Sequence, residues 1–369
     1  MRPDRTIEPA GEAAPVAAML QKEAAARDRD GAFPEAAFAI LRARGLVADP
    51  PLGRGEIRQL LRRLAEVGHG DLSTGRIYEG HVNALDLVRR HGTPEQVEDV
   101  AGRARRGELF GIWNTDDPGD PLRLEEGRLL GRKTFASGVD GLSRAIVTVP
   151  TEGGRQMILL PLAGLPVDRS WWCPLGMRAS GSHVVDFTGL AVPPDWRLGA
   201  PGAYVAQPWF SAGAARFVAV QVGGMHAVFD AALDHLTATG RAGAPHQAHR
   251  IARMGIAVET GYALLERAAR DWTAAEDASA GSPAAARLVA TVDAARSAVE
   301  AAALAVLEEA ERGVGAAGFI APHPLERLMR DLRTYLRQPN PDGALTSLAA
   351  AIAAGTWAPG EAMLRESEA

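Results

Sequence analysis

The residues able to carry chemistry are few and scattered along this chain of 369 residues. The single cysteine, Cys173, cannot form an intramolecular disulfide. No CxxC or Cys/His ligand spacing occurs, so zinc, iron–sulfur and disulfide-scaffold chemistry is not expected and no metal ligands are read. His81, His91, His183 and His226 are the imidazoles available as general acids or hydrogen-bond donors. For any one of them, His81 in YEGHVNAL included, a satisfied interior histidine is the commoner outcome. The hydroxyls Thr115 and Ser137 sit near the ends of apolar runs, where such groups commonly bond to their own backbone. Trp113, Trp171, Trp172 and Trp196 could cover a ligand, or fill a junction between sheet and helix. Acids are absent between Asp195 and Asp230.

The elements that must position these groups follow from turn residues and apolar period. From residue 10 to about 106 the apolar residues recur at helical spacing, as in FPEAAFAILRARGL, where Phe33, Ala37, Ile40 and Leu41 make a stripe widened by Phe38. Thr93, Pro94 and Gln96 form a helix start with a capping box, predicting a helix over 94–105. Between 109 and 204 the pattern becomes short β-branched runs at 144–150, 155–162 and 183–193, and EEGRLLG at 125–131 reads as a hairpin. Alanine-rich helical segments at about 209–238, 246–276, 284–312 and 324–337 follow, with a final helix possible after 344. The predicted fold is α+β: an N-terminal helical domain over 1–108, a small antiparallel β-barrel or sheet domain over 109–205, and a C-terminal four-helix bundle over 206–369.

Composition is that of an ordinary globular protein, with 47% apolar and 23% charged residues and a net charge of −5. Those values argue against a disordered chain and against a polycationic nucleic-acid binder. The first thirty residues are charged throughout, and no window reaches the roughly 18 apolar residues of a membrane span. A cytoplasmic protein with no nucleic-acid or membrane partner is expected.

The words written across this layout resemble the acyl-CoA dehydrogenase family from about Phe33 to Asp331. GMRASGSHVVDFTGLAVPPDWRLG at 176–199 is similar to the family's G-x-R-x-S/T…V-x-F-x-x-V-x-VP…G stretch, and ERLMRD at 326–331 to the segment before its last long helix. GELFGIWNTD at 107–116 and GRKTFASG at 131–138 are similar to two further family segments. The resemblance implies FAD, with FMN possible, and a flavin ring between the β-domain and the bundle. It assigns Trp113 and Phe135 to an aromatic wall and Thr115 and Ser137 to hydrogen-bond donors. It sets Arg241, Gln247, Arg312 and Gly315 beside the pyrophosphate of a neighbouring subunit's flavin, and so implies a homodimer or homotetramer.

The family's catalytic glutamate has no counterpart. One of its two known places falls on Pro339, the other on Gly213, or on Ala215 if Arg216 matches the family's arginine. Asp342 and His81 remain as weak catalytic candidates. The family's T-E-P-G-A-G-S-D is replaced by Thr115-Asp116-Asp117-Pro118-Gly119-Asp120-Pro121, whose acids would repel coenzyme A at the mouth of the site. The first reading is a flavin-dependent oxidoreductase acting on an acyl-CoA or acyl-like substrate with a non-standard base and an electron acceptor. The alternatives are a monooxygenase of the same fold, using oxygen and reduced flavin from a separate reductase, and a non-catalytic partner protein of the family.

Overall fold

The computed structural model describes residues 14–361. Residues 1–13, which begin the charged segment read above, and 362–369 lie outside the described residues. Six helices come first: α1 (Val16–Gln21), α2 (Ala24–Asp30), α3 (Glu35–Ala43), α4 (Ile57–Gly70), α5 (Leu72–His91) and α6 (Pro94–Arg105). The stripe read from the sequence is the buried face of α3, where Ala37, Phe38 and Leu41 are shut off from solvent. At α6 the capping box forms as the sequence dictates. Thr93 Oγ1 accepts from the Gln96 backbone N–H, and Gln96 Oε1 accepts from that of Thr93.

Nine short strands follow. β1 (Phe110–Trp113), β5 (Arg144–Thr151), β6 (Gly154–Pro161) and β9 (Arg197–Leu198) make one sheet in the order β1-β5-β6-β9. β4 (Arg132–Ala136), β8 (His183–Asp186) and β7 (Val167–Asp168) make a second, in the order β4-β8-β7. β2 (Arg123–Glu125) and β3 (Arg128–Leu130) are the hairpin, turned by Glu126 and Gly127, both at positive φ as a two-residue turn of this hand requires. The β1–β5 pair is parallel and the other pairs are antiparallel. Ala145, Val147 and Val149 of β5 face the main core, while Ile146 faces a second core shared with Leu85, Val88 and Val100 of the helices. Burial on both faces explains why these strands read as continuous apolar runs. The run from 183 is a strand only to Asp186, where the Asp186 carboxylate accepts from Thr188 N–H and Gly189 turns the chain.

The remaining helices are α7 (Trp209–Ala212), α8 (Ala214–Ala238), α9 (Pro245–Ala275), α10 (Pro283–Val314), α11 (Pro324–Tyr335) and α12 (Pro341–Ala353). The first expected bundle helix is thus two, divided at Gly213. Among the described residues no helix is long and apolar enough to cross a membrane.

The N-terminal helices join the bundle where α4 crosses α8 with no side chain between the backbones. A Cβ added to Gly223 would lie 2.0 Å from the Ala65 carbonyl oxygen, and one added to Gly68 would lie 2.4 Å from that of Val220. Gly223→Ala is therefore expected to destabilise the protein by about 1–3 kcal/mol through forced separation of the helices. Gly255→Ala, on α9 with open space around it, is expected to stabilise by about 0.5–1 kcal/mol. Urea melts of both variants check the pair of signs.

Candidate active site

A cavity of about 570 Å³ opens between the sheet edges and the bundle. α5 supplies Arg76, Glu79, Asp86, Arg90 and His91, the ends of β1 and β4 supply Trp113, Asn114, Thr115 and Phe135, and the chain from 203 to 217 supplies Tyr204, Gly213 and Arg216. Asp293 and Arg296 of α10 and the stretch from Gln338 to Ser347 close the far side.

The floor is a buried ion network. Arg216 donates through Nη2 to Asn83 Oδ1 (2.6 Å), and its guanidinium pairs with Glu79 Oε1 at 3.4 Å and Asp86 Oδ2 at 3.6 Å. Arg76 takes the other Glu79 oxygen at 3.1 Å, and Arg90 takes Asp86 at 3.0 Å while lying 4.0 Å over the Trp209 ring. Burial raises the Asp86 carboxyl, but Arg216, Arg90 and Arg89 outweigh it and hold the group below its usual range. Glu79 and Asp86 are thus neutralised by arginines.

The aromatic wall comes from a bulge. The β4–β8 register shifts between Lys133 and Ala136, and Phe135 takes a φ of +53°, an uncommon conformation for a side chain of that size. Its ring stands edge-on to Trp171 at 4.9 Å and Trp172 at 6.1 Å and is partly open to solvent. Trp113 is buried, with Nε1 donating to the Ser137 carbonyl.

Trp113, Thr115 and Phe135, three of the sequence candidates, therefore line one cavity. Ser137 does not: it lies behind Trp113, where its hydroxyl bonds to that of Ser182 at 2.8 Å. Arg241, Gln247, Arg312 and Gly315 lie away from the cavity at the end of the bundle. There Arg241 bonds to Thr239 and His235, Arg312 pairs with Glu308, and the Gln247 Oε1 is buried beside Gly313 without a partner. His81 is fully buried: Nδ1 accepts from the Phe110 N–H (3.2 Å), so Nε2 carries the proton and donates to the Val47 carbonyl at 2.9 Å. Burial holds its pKa down at about 4, and it is a structural group outside the cavity. His183 faces Asp140 and His226 faces Asp230, leaving His91 as the imidazole that lines the cavity.

Of the positions where the resemblance would set the glutamate, Gly213 and Pro339 line the cavity and Ala215, the alternative to Gly213, is buried outside it; none of the three can accept a proton. Asp342 is exposed on the outer side of the first turn of α12, whereas its neighbours Gly343 and Ala344 face inward. The acids after Thr115 do not guard the mouth, a correction to the sequence reading. Asp116 is held by Lys133 Nζ (2.6 Å) and Arg155 (2.9 Å), Asp117 by Arg132, and Asp120 by Arg123. They fold the loop and are neutralised in doing so.

Sequence reasoning missed Asp293. It is 8% exposed, burial raises its pKa above the usual value against a weaker hydrogen bond from Ser347, and its Oδ2 has no partner. The signal available was an acid within the apolar run LVATVDAARSAV, one turn from the buried Arg296.

The family described as acyl-CoA dehydrogenase, C-terminal domain, matches residues 200–336. The chain is 25% identical to the mitochondrial short-chain specific acyl-CoA dehydrogenase of Sus scrofa over 341 residues, 84% of this chain and 80% of that one. It superposes on TdsC from Paenibacillus sp. A11-2, solved with FMN and indole, with a TM-score of 0.78 and 20% identity, covering 91% of this chain and 95% of the other. Methanesulfinate monooxygenase MsuC from Pseudomonas fluorescens gives a TM-score of 0.79 at 21% identity, with 91% and 94% covered.

Because the folded pKa of Asp293 lies above its ordinary 3.8, charging it costs nothing below that value and destabilises the fold increasingly as pH rises through the folded pKa. Asp293→Asn is expected to match the parent in urea melts in acid well below 3.8 and to exceed it in mildly alkaline buffer. Equal stability of the two proteins at both pH values would show that the carboxyl is not desolvated.

Proposed function

For this chain, whose fold is that of the acyl-CoA dehydrogenases and whose residues 200–336 match their C-terminal domain, we propose a flavin-dependent oxidoreductase and, within that class, a monooxygenase fed with reduced flavin. The observation that carries the reading is the chemistry of the two inward-facing positions, Gly213 and Pro339. Removal of a proton α to a thioester carbonyl needs a base at one of them, and neither residue has a titratable group. Oxygen insertion into an electron-rich sulfur, nitrogen or aromatic carbon needs no such base. TdsC, a dibenzothiophene monooxygenase, and methanesulfinate monooxygenase MsuC, alike to this chain in fold over nine-tenths of its length, support the same reading.

The residues present fit a flavin. Phe135, turned inward by its bulge, and Trp113 offer a wall against which a flat ring packs, and the Thr115 hydroxyl offers a donor. Bound reduced flavin, FAD or FMN, supplies the two electrons that activate oxygen, one atom of which enters the substrate while the other leaves as water. The chain's own part is to shape the cavity, exclude water and manage protons. Asp293, whose protonated form burial favours, is placed to offer a proton at a carboxyl oxygen for the departing oxygen atom. Tyr204, its pKa pushed up to about 12 by burial, stays a neutral donor in the same cavity. The rings of Phe210, Phe217 and Trp209 suit a small, flat, electron-rich substrate.

The test is oxygen consumption with a flavin reductase and a panel of aromatic, sulfur and amine substrates. Oxygen uptake with substrate oxygenation is expected, and Asp293→Asn should lower kcat roughly a hundredfold with flavin affinity retained. Anaerobic bleaching of bound oxidised flavin by an acyl-CoA would establish the dehydrogenase reading instead. Failure to bind flavin in either redox state would leave a non-catalytic partner protein.

Arg241, Arg312 and the side-chain NH2 of Gln247 belong, on this reading, to a second contact, as donors to the phosphate of a flavin held by another copy of the chain. Arg241→Ala is expected to lower flavin occupancy at least several-fold with an unchanged circular dichroism spectrum, and unaltered occupancy would remove Arg241 from the cofactor site.

A further inference from the structure

The glycine crossing of α4 and α8 has a chemical by-product on the face away from the cavity. His69, at the end of α4, and His226, on α8, are brought face to face, their rings 4.6 Å apart and 12° from parallel. Asp230, one turn further along α8, has one carboxylate oxygen 2.9 Å from His69 Nε2 and the other 3.7 Å from His226 Nε2. Tyr262, on α9, meets His226 Nδ1 at 3.0 Å through its hydroxyl. None of these residues lines the cavity, and the three side chains of the cluster are 21%, 33% and 42% exposed, enough for an ion to enter.

We propose that His69, His226 and Asp230 form a binding site for a zinc-type divalent cation. Two imidazole nitrogens and a carboxylate oxygen are a donor set that zinc accepts, with a fourth position left to water. Donor atoms at zinc-bond distance from one tetrahedral ion stand about 3.4 Å apart. The separations to the two Asp230 oxygens lie on either side of that value, and one ligand atom from each of the three residues lies within 4.8 Å of the others, close enough to converge on one ion. Tyr262 fills the outer role such sites require. By engaging Nδ1 it fixes the His226 ring with Nε2 turned to the ion. The ligand spacing is invisible to a sequence motif because the first histidine is 157 residues before the second, and the crossing of α4 and α8 at Gly68 and Gly223 brings them together.

The experiment is calorimetric titration of the chelator-dialysed full chain with Zn2+ alone, and of the same protein with Co2+ read by visible absorbance. One Zn2+ per chain, low-micromolar or tighter, the d–d bands of four-coordinate Co2+ and a Zn2+-dependent rise in Tm are expected. His69→Gln and His226→Gln should each weaken binding at least tenfold, and His246→Ala, elsewhere on α9, should change nothing. Circular dichroism of the metal-free variants separates loss of ligand from loss of fold. Zn2+ affinity unchanged in both glutamine variants, or only unsaturable binding at millimolar Zn2+, would overturn the proposal. Flavin affinity is a separate readout, so failure here leaves the reading of the cavity untouched.

Discussion

The buried guanidinium of Arg216 constrains the rest of the site. A cation with 4% exposure of its residue survives in a protein interior only if its hydrogens are met by fixed partners, and here Glu79, Asn83 and Asp86 of α5 meet them. Losing one partner of such a network costs about 3–5 kcal/mol, so α5 and α8 are tied together through the cavity floor. Gly213 belongs to the same constraint. The Arg216 Nη2 lies 3.0 Å from where a Cβ on residue 213 would stand, so the guanidinium occupies the space next to a side chain there. The arrangement that secures the floor leaves little room for a glutamate reaching inward from that position.

A second constraint acts from the sheet. The loop after β1 is drawn down by Asp116, whose carboxylate joins Lys133 of β4 to Arg155 of β6. Lys133 is wholly buried, its pKa lowered to about 8, and it also donates to the Asn114 carbonyl. Asn114 in turn accepts from the Thr148 hydroxyl at 2.5 Å. The residues flanking Thr115 are therefore held by side chains from three strands, while the bulge two residues beyond Lys133 sends Phe135 to the same cavity. The strained φ of Phe135 fits a position retained for where its ring points.

What the sequence made legible is what local chemistry decides. The Thr93–Pro94–Gln96 cap, the 125–131 hairpin, the long helices α8, α9 and α10 and the strands at 144 and 155 follow from period and turn residues alone. The resemblance carried Trp113, Thr115 and Phe135 to one wall, because strand ends and bulges are part of the fold itself. Contacts between distant segments were illegible. The acids after Thr115 look like a charged mouth until Lys133, Arg132, Arg155 and Arg123 are found against them. His81 looks like a site residue until the Val47 carbonyl and Phe110 amide claim both of its nitrogens. Asp293 passes as one more charge in an alanine-rich helix, since nothing local says that its face is the one turned to the cavity.

Burial acts with opposite sign on the two free titratable groups of that cavity, and this bears on its chemistry. Desolvation disfavours whichever form is charged, so it raises the Asp293 carboxyl and lowers the His91 imidazole, the latter helped by Arg90 beside it and opposed by Asp86. A carboxyl group and an imidazole whose neutral forms burial favours thus face one space from different elements, α10 and the end of α5. Pairs of groups driven apart in this way mark the division of acid and base roles in a site. The other carboxylates of the cavity, Glu79 and Asp86, are engaged by Arg76, Arg90 and Arg216 in the floor. Asp293 and His91 therefore face the cavity among charges that are neutralised by fixed partners.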